Sequence, residues 1–223
     1  MIWPLPLIER WRVMLADRRF PRPETDVLEA AGLLTPARHI PDLIARTALQ
    51  IGNGEIGNGE IGGNNLGPHV AKYLAPSKPP LPWCAGFSGW CYQMAAADLG
   101  VALPFRRSLS ARKLAANIAA FGRKFTDPIE ANPGDVMLFA RGPSGSSLGH
   151  VALVVEIIRD AASKRADVRT IEGNHSPQVA RFVRRTDDPR FLFFASVRKA
   201  PALKRVRYGT RIAKGVEVEK PDI

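Results

Sequence analysis

An α+β fold, with an antiparallel sheet packed against one long helix, is the class this sequence predicts, on three observations. Helix-forming stretches dominate the chain as far as residue 121, and apolar runs of strand length follow between 136 and 199. Asn132-Pro133-Gly134-Asp135, a turn signature, marks the change from one regime to the other.

Within that frame each element has a local reason. Residues 1–45 interrupt short apolar runs with six prolines (Pro4, Pro6, Pro21, Pro23, Pro36, Pro41), so only short helices fit, around 5–17 and 24–32, and the segment reads as an accessory layer. Residues 42–50 are helix-like. The pentapeptide IGNGE then occurs at 51–55 and again at 56–60, followed by IGGNN. A five-residue period matches neither helix nor strand. The repeat either extends the preceding helix or forms a loop over a cleft, and it reads most simply as a tandem duplication with no function of its own. It is not a phosphate loop, because no Gly-Lys-Ser/Thr follows.

HVAKYL after Gly67-Pro68 suggests a short helix, and APSKPPLP an extended, proline-stiffened lead-in. WCAGFSGWCYQMAAADLG reads as a helix of about four turns, with Pro82 in its first turn and Gly100 at its C-terminal end. Residues 108–121 form a second amphipathic helix capped by Ser108 or Ser110. Four strands follow: VMLFA at 136–140, HVALVVEII from 150 behind a flexible RGPSGSSLG loop, VRTIEGN at 168–174 and FLFFASVRK at 191–199.

Composition narrows the function classes. With 223 residues, 45% hydrophobic and 24% charged, the chain holds one sizeable core plus extensions, which excludes a large multidomain machine and global disorder. No window approaches the ~18 apolar residues of a membrane span, and MIWPLPLIERWRVMLADRR lacks the apolar run of a signal peptide. The net charge is +11, and residues 181–223 supply 12 basic against 5 acidic side chains. A cationic end favours anionic partners: nucleic acid, phospholipid headgroups or an anionic cell-wall polymer. Nucleic acid fits least, since the tail has no interleaved aromatics and no recognisable module.

The chemistry-bearing residues are few. Cys84 follows Pro-Trp at the expected helix start, where unpaired N–H groups and the helix dipole lower a thiol's pKa. It is either a nucleophile or a small buried apolar residue. His150 opens an apolar strand behind a Gly/Ser loop, a position from which it faces a cleft, so Cys-His catalysis becomes a concrete proposal. Glu172 and Asn174, at i and i+2 of one strand, point to the same face and either one can orient the imidazole; a surface Glu and a turn Asn are the alternative. His175 competes with His150 for the role of base. His39 and His69 read as structural or exposed, and Trp83 as a packed aromatic or the wall of a groove.

Cys84 and Cys91 are seven residues apart, ~10 Å along a helix, which is too far for a disulfide. The same offset opposes a zinc site built from Cys84, Cys91, His150 and His175. Cys91 is assigned to the core face.

In order and spacing, PWCAGFSGWC, NPGDVMLF, GHVALVVEI and TIEGN resemble the CHAP (cysteine, histidine-dependent amidohydrolase/peptidase) domain and its NlpC-type relatives. GEIGGNNLGPHVAKYL resembles the lead-in of one bacterial and phage branch, and the resemblance runs from about residue 46 to 198. It implies a papain-like α+β fold, Cys84 as nucleophile, His150 as general base, Glu172 as orienting acid and Asn174 as a further polar partner. It also implies peptidoglycan as substrate, cut at an N-acetylmuramoyl–L-alanine amide or within the stem or cross-bridge peptides. Some members bind calcium through acids just before the nucleophile. LAPSKPPLPW has none here, so no metal or other cofactor is expected.

The expected organisation is therefore an accessory segment 1–45, a CHAP-like domain 46–199 and a basic tail 200–223 that favours anionic envelope polymers. A wall-docking or virion-structural module without turnover is the alternative. With no signal peptide recognised, the expectation is synthesis in the cytoplasm and action on the wall after release, or carriage in a virion or by a secretion system.

Overall fold

A computed structural model describes residues 39–159 and 165–199. The helices expected at 5–17 and 24–32 and the basic tail lie outside these residues. Among the described residues four α-helices and an antiparallel six-stranded sheet make up the α+β fold. The helices are α1 (Ile40–Gly54), α2 (Pro68–Leu74), α3 (Cys84–Asp98) and α4 (Ala111–Phe121). The strands are β1 (Arg123–Phe125), β2 (Val136–Ala140), β3 (Gly149–Arg159), β4 (Ala166–Glu172), β5 (Ala180–Arg185) and β6 (Phe191–Ser196), in the spatial order β1-β6-β2-β3-β4-β5. Among the described residues no helix is long and apolar enough to cross a membrane.

α3 is the central helix, and its composition explains why. Ala85, Gly86, Ser88, Gly89, Ala95 and Ala96 are all buried, so small side chains let neighbours approach it on several sides. A Cβ on Gly86 would come within 3.0 Å of the Tyr73 carbonyl oxygen and 3.4 Å of Leu109. Trp83 is the N-cap, so Pro82 precedes the cap rather than occupying the first turn. Gly100, with φ +66, follows the C-terminal end as expected. Ser110, not Ser108, caps α4: its side chain accepts from the Lys113 N–H.

α1 begins at Ile40 and crosses the boundary expected at residue 45, with Ile44, Ala45 and Ala48 in the same core as α3. A buried ion-pair cluster ties it to the sheet. Arg198 donates to Asp42 at 2.8 Å and to Asp135 at 2.5 Å, and Ser196 donates to Asp135 at 2.6 Å.

The two copies of the pentapeptide fold differently. The first completes α1, where Gly52 lies against Leu153. The second pairs with residues 177–179: the Gly57 N–H donates to Val179, Val179 to Asn58, and Glu60 to Pro177. A Cβ on Gly59 would fall 2.1 Å from the Pro177 oxygen, so only glycine permits that approach. Far from being an idle duplication, the repeat closes one side of the fold.

Two strands were not legible, and both are sheet edges. β1 is three residues long, and β5 (ARFVRR) alternates half-buried and exposed positions so that it reads as a charge cluster.

Candidate active site

The first turn of α3 and the near ends of β3 and β4 converge on one site. Cys84 is the first residue of α3, and the residue before it is fixed from several directions. The Trp83 N–H donates to Asn174 Oδ1 at 3.1 Å, and its indole Nε1–H donates to Glu60 Oε1 at 3.0 Å. Tyr73 stacks on the indole at 5.6 Å between ring centroids. The six-membered ring also lies over Gly173, where a Cβ would meet Cζ3 at 2.4 Å. The glycine between Glu172 and Asn174 is therefore a tightly packed backbone position, as its lack of a side chain suggests. Trp83 is wholly buried and packs as core rather than walling a groove.

His150 is the second residue of β3, paired with Phe139 of β2, and is 3% exposed. Its Nε2 lies 2.6 Å from Glu172 Oε2. The carboxylate, at the end of β4, also accepts from Arg184 Nε at 2.7 Å, from Arg184 Nη2 at 2.5 Å and from Thr170 Oγ1 at 2.6 Å. Burial pushes the Glu172 carboxyl up, but these donors outweigh it and hold the pKa at about 2. An ionised carboxylate can only accept, so Nε2 carries the proton facing it. Nδ1 is then the ring nitrogen left for chemistry, and it has no hydrogen-bond partner among the described residues.

Cys84 sits beside this imidazole. Burial, the largest influence, raises its thiol pKa; the His150 ring, the Val151 N–H and the charge of Arg141 together reverse that and hold it below the ordinary thiol range. For His150, burial pulls downward and the neighbouring Cys84 and Glu172 more than compensate, so its pKa is raised. Each group favours the charged form of the other. Both shifts run in the direction of a thiolate–imidazolium pair.

Asn174 is placed differently from expectation. β4 ends at Glu172 and Asn174 has φ +59, so the i, i+2 rule for a strand stops before it. Its side chain turns to Trp83 and, through Nδ2, to Asn65 Oδ1 at 2.7 Å, so it does not hydrogen-bond His150. His175 is exposed, edge-on to Phe182 at 4.6 Å and 5.7 Å from the His150 ring centroid. Burial and the charge of Arg184 lower its pKa, favouring the neutral ring.

Nitrogen and oxygen atoms of His150, Glu172 and His175 all lie within 4.8 Å of one another, a spacing that suits a metal ion. The donor set argues otherwise. Both Glu172 oxygens already accept from Arg184, so a cation would have to displace a guanidinium from a buried carboxylate. Cys91 is buried two turns down α3, free and in the core, as expected.

Sequence reasoning missed Arg184, Thr170, Glu60, Asn65 and Arg141. Thr170 had a signal, being two residues before Glu172 on the same strand face. Arg184 had none once β5 went unrecognised.

Residues 76–174 match the family model of the CHAP domain, a stretch that contains Cys84, His150, Glu172 and Asn174. No curated protein and no solved structure matches the chain. The matched stretch, less than half of the chain, is consistent with a CHAP domain, and CHAP domains are generally amidases or peptidases associated with peptidoglycan. The match stops short of β5, whose Arg184 completes the shell of Glu172.

Proposed function

We propose that this CHAP domain is a peptidoglycan hydrolase that cuts an amide bond by Cys-His nucleophilic catalysis, either as an N-acetylmuramoyl–L-alanine amidase or as a stem- or cross-bridge endopeptidase. The observation that carries it is the ionised Glu172 holding Nε2–H of His150, which leaves Nδ1 as the titrating nitrogen beside the Cys84 thiol.

In this mechanism Cys84 is the nucleophile, His150 the general base and acid, and Glu172 the group that fixes the tautomer and stabilises the imidazolium. The thiolate attacks the scissile carbonyl carbon, and the carbonyl π electrons move to oxygen. Backbone N–H groups of the first turn of α3, which have no partner within the helix, are placed to receive that oxyanion. The C–N bond breaks, His150 gives its Nδ1 proton to the departing amine, and a thioester remains on Cys84. Water, losing a proton to His150, adds to the thioester carbonyl, and the carboxylic acid leaves as the thiolate re-forms. Asn174 acts at one remove, by holding the backbone N–H of Trp83.

Digestion of purified peptidoglycan by the wild type, Cys84→Ala and His150→Ala, with mass spectrometry of released fragments, tests this. New termini at one bond, absent with both variants, are expected and name the specificity. No fragments from several wall types, while the protein still sediments with sacculi, would leave a wall-docking module as the function.

A further inference from the structure

Beside His150 a cavity of ≈ 60 Å³ is lined by Arg141, Arg184, Arg190, Asp188 and His175, among others. Its charges do not cancel. Arg184 is committed to Glu172, and Arg190 to Asp188 at 2.8 Å. Arg141 has no carboxylate partner among the described residues: its one side-chain bond is Nη2–H to the Asn174 carbonyl at a long 3.4 Å. It stands one residue past the end of β2, its backbone N–H fixed on the Leu148 carbonyl at 3.1 Å, and its guanidinium reaches toward Asn174, two residues past the end of β4. β3 lies between those two strands, so the arginine bridges the mouth of the strand that carries His150.

We propose that Arg141 is a specificity-determining residue of this site, whose guanidinium binds a free carboxylate of the peptide substrate next to the scissile amide. The inference rests on the hydrolase reading above for its substrate class. The lining fits an anion, since three of the side chains around the cavity are guanidinium groups and only one is a carboxylate. The chemistry fits as well, because a guanidinium offers paired N–H donors in the spacing of a carboxylate's two oxygens. Arg184 and Arg190 cannot serve without abandoning an acid each. The charge of Arg141 is felt by both Cys84 and His175, which places it within electrostatic reach of the reacting groups.

The test uses soluble muropeptides in which each free carboxylate of the stem is replaced in turn by its carboxamide: the isoglutamate α-carboxyl, the diamino acid's side-chain carboxyl and the C-terminal carboxyl. One replacement is expected to lower kcat/KM of the wild type by about 10- to 100-fold, the range for losing a charge-assisted hydrogen-bonded pair. In Arg141→Gln the acid-to-amide ratio at that position falls to within about threefold of one, and Arg141→Lys restores part of it. A parallel arm measures Kd of the same peptides for Cys84→Ala and for Cys84→Ala/Arg141→Gln, so it needs no turnover. Acid-preferring binding that disappears with Arg141 supports the subsite even where nothing is cut, in which case the hydrolase reading alone fails. Cleavage of all peptides with equal ratios, or a preference retained in Arg141→Gln, overturns the subsite and leaves the hydrolase standing. Neither cleavage nor a binding preference removes both.

Discussion

Cys84 and Cys91 share one helix, one core and almost complete burial, yet their thiols are driven in opposite directions. At the third turn of α3, burial raises the Cys91 pKa and the charge of Glu55 adds to that rise, so the group stays a neutral thiol. At the first turn, burial acts on Cys84 in the same sense but His150, the Val151 N–H and Arg141 overturn it. Position on the helix contributes too, because the dipole favours an anion only within the first turn. Burial by itself raises a thiol's pKa; the lowering at Cys84 comes from the partners that the sheet delivers to one end of the helix.

Removing either sulfur gives the largest contrast. Cys84→Ala is expected to reduce peptidoglycan cleavage by about 10³-fold or more, since the acyl-transfer route is lost. Cys91→Ala is expected to leave kcat/KM within about threefold while costing roughly 1–2 kcal/mol of stability, as a small cavity opens beside Gly52 and the surrounding core. Urea unfolding alongside the digestion assay checks both. Equal losses of activity from the two substitutions would mean that the helix is simply unfolding.

Next in size is the pH dependence of the two thiols. Iodoacetamide should alkylate Cys84 with a midpoint below that of a free thiol, and reach Cys91 only on unfolding. The rate profile should be bell-shaped, its acid limb set by the lowered thiol and its alkaline limb by the raised imidazolium. Glu172→Gln removes the charge that favours imidazolium. The alkaline limb should therefore move down and the thiol midpoint up, narrowing the bell and lowering kcat by about 10- to 100-fold.

The same substitution has a stability signature of known sign. Glu172 has its folded pKa depressed to about 2 from an ordinary 4.5, so its contribution is fully present above 4.5 and disappears as pH falls toward 2. Glu172→Gln should be less stable than wild type by roughly 3 kcal/mol at neutral pH, with the gap closing in acid. His150 has the opposite dependence: its raised pKa contributes below 6.5 and fades as pH rises through the folded value. Denaturation curves at several pH values separate the two. A gap that persists unchanged near pH 2 would show that Glu172 acts through packing instead of charge.

What the sequence revealed of this contrast follows the range of the interactions. Cys84, His150 and Glu172 were legible because each stands at a local landmark: a helix start, a strand behind a Gly/Ser loop, and the end of an alternating run. The sheet's central strands were legible from their apolar runs. Arg184 was not, because ARFVRR has only one half-buried face and its role depends on pairing with β4. Asn174 was misplaced by two residues of strand end, and its partners Trp83 and Asn65 lie 91 and 109 positions away. Local periodicity carries no information about pairs at that separation. It also could not distinguish the two pentapeptide copies, which are identical in sequence and differ only in what they dock against.

Those two copies give the smallest expected effect and the finest test of the comparison, because their glutamates serve the two cysteines separately. Glu55 accepts from Lys72 at 2.7 Å and from the Tyr73 hydroxyl at 2.5 Å, and its charge bears on Cys91. Glu60 accepts from the Trp83 indole, next to Cys84. Glu60→Ala strands a buried indole N–H and should cost about 1–2 kcal/mol, whereas Glu60→Gln keeps an oxygen acceptor and should recover most of it. A looser Trp83 moves the first turn of α3, so kcat should fall severalfold in Glu60→Ala with KM little changed. Glu55→Gln, by contrast, should leave the Cys84 alkylation profile where it is. If Glu55→Gln shifts that profile as much as Glu60→Ala does, the ends of α3 are electrostatically coupled and the two cysteines do not occupy separate environments.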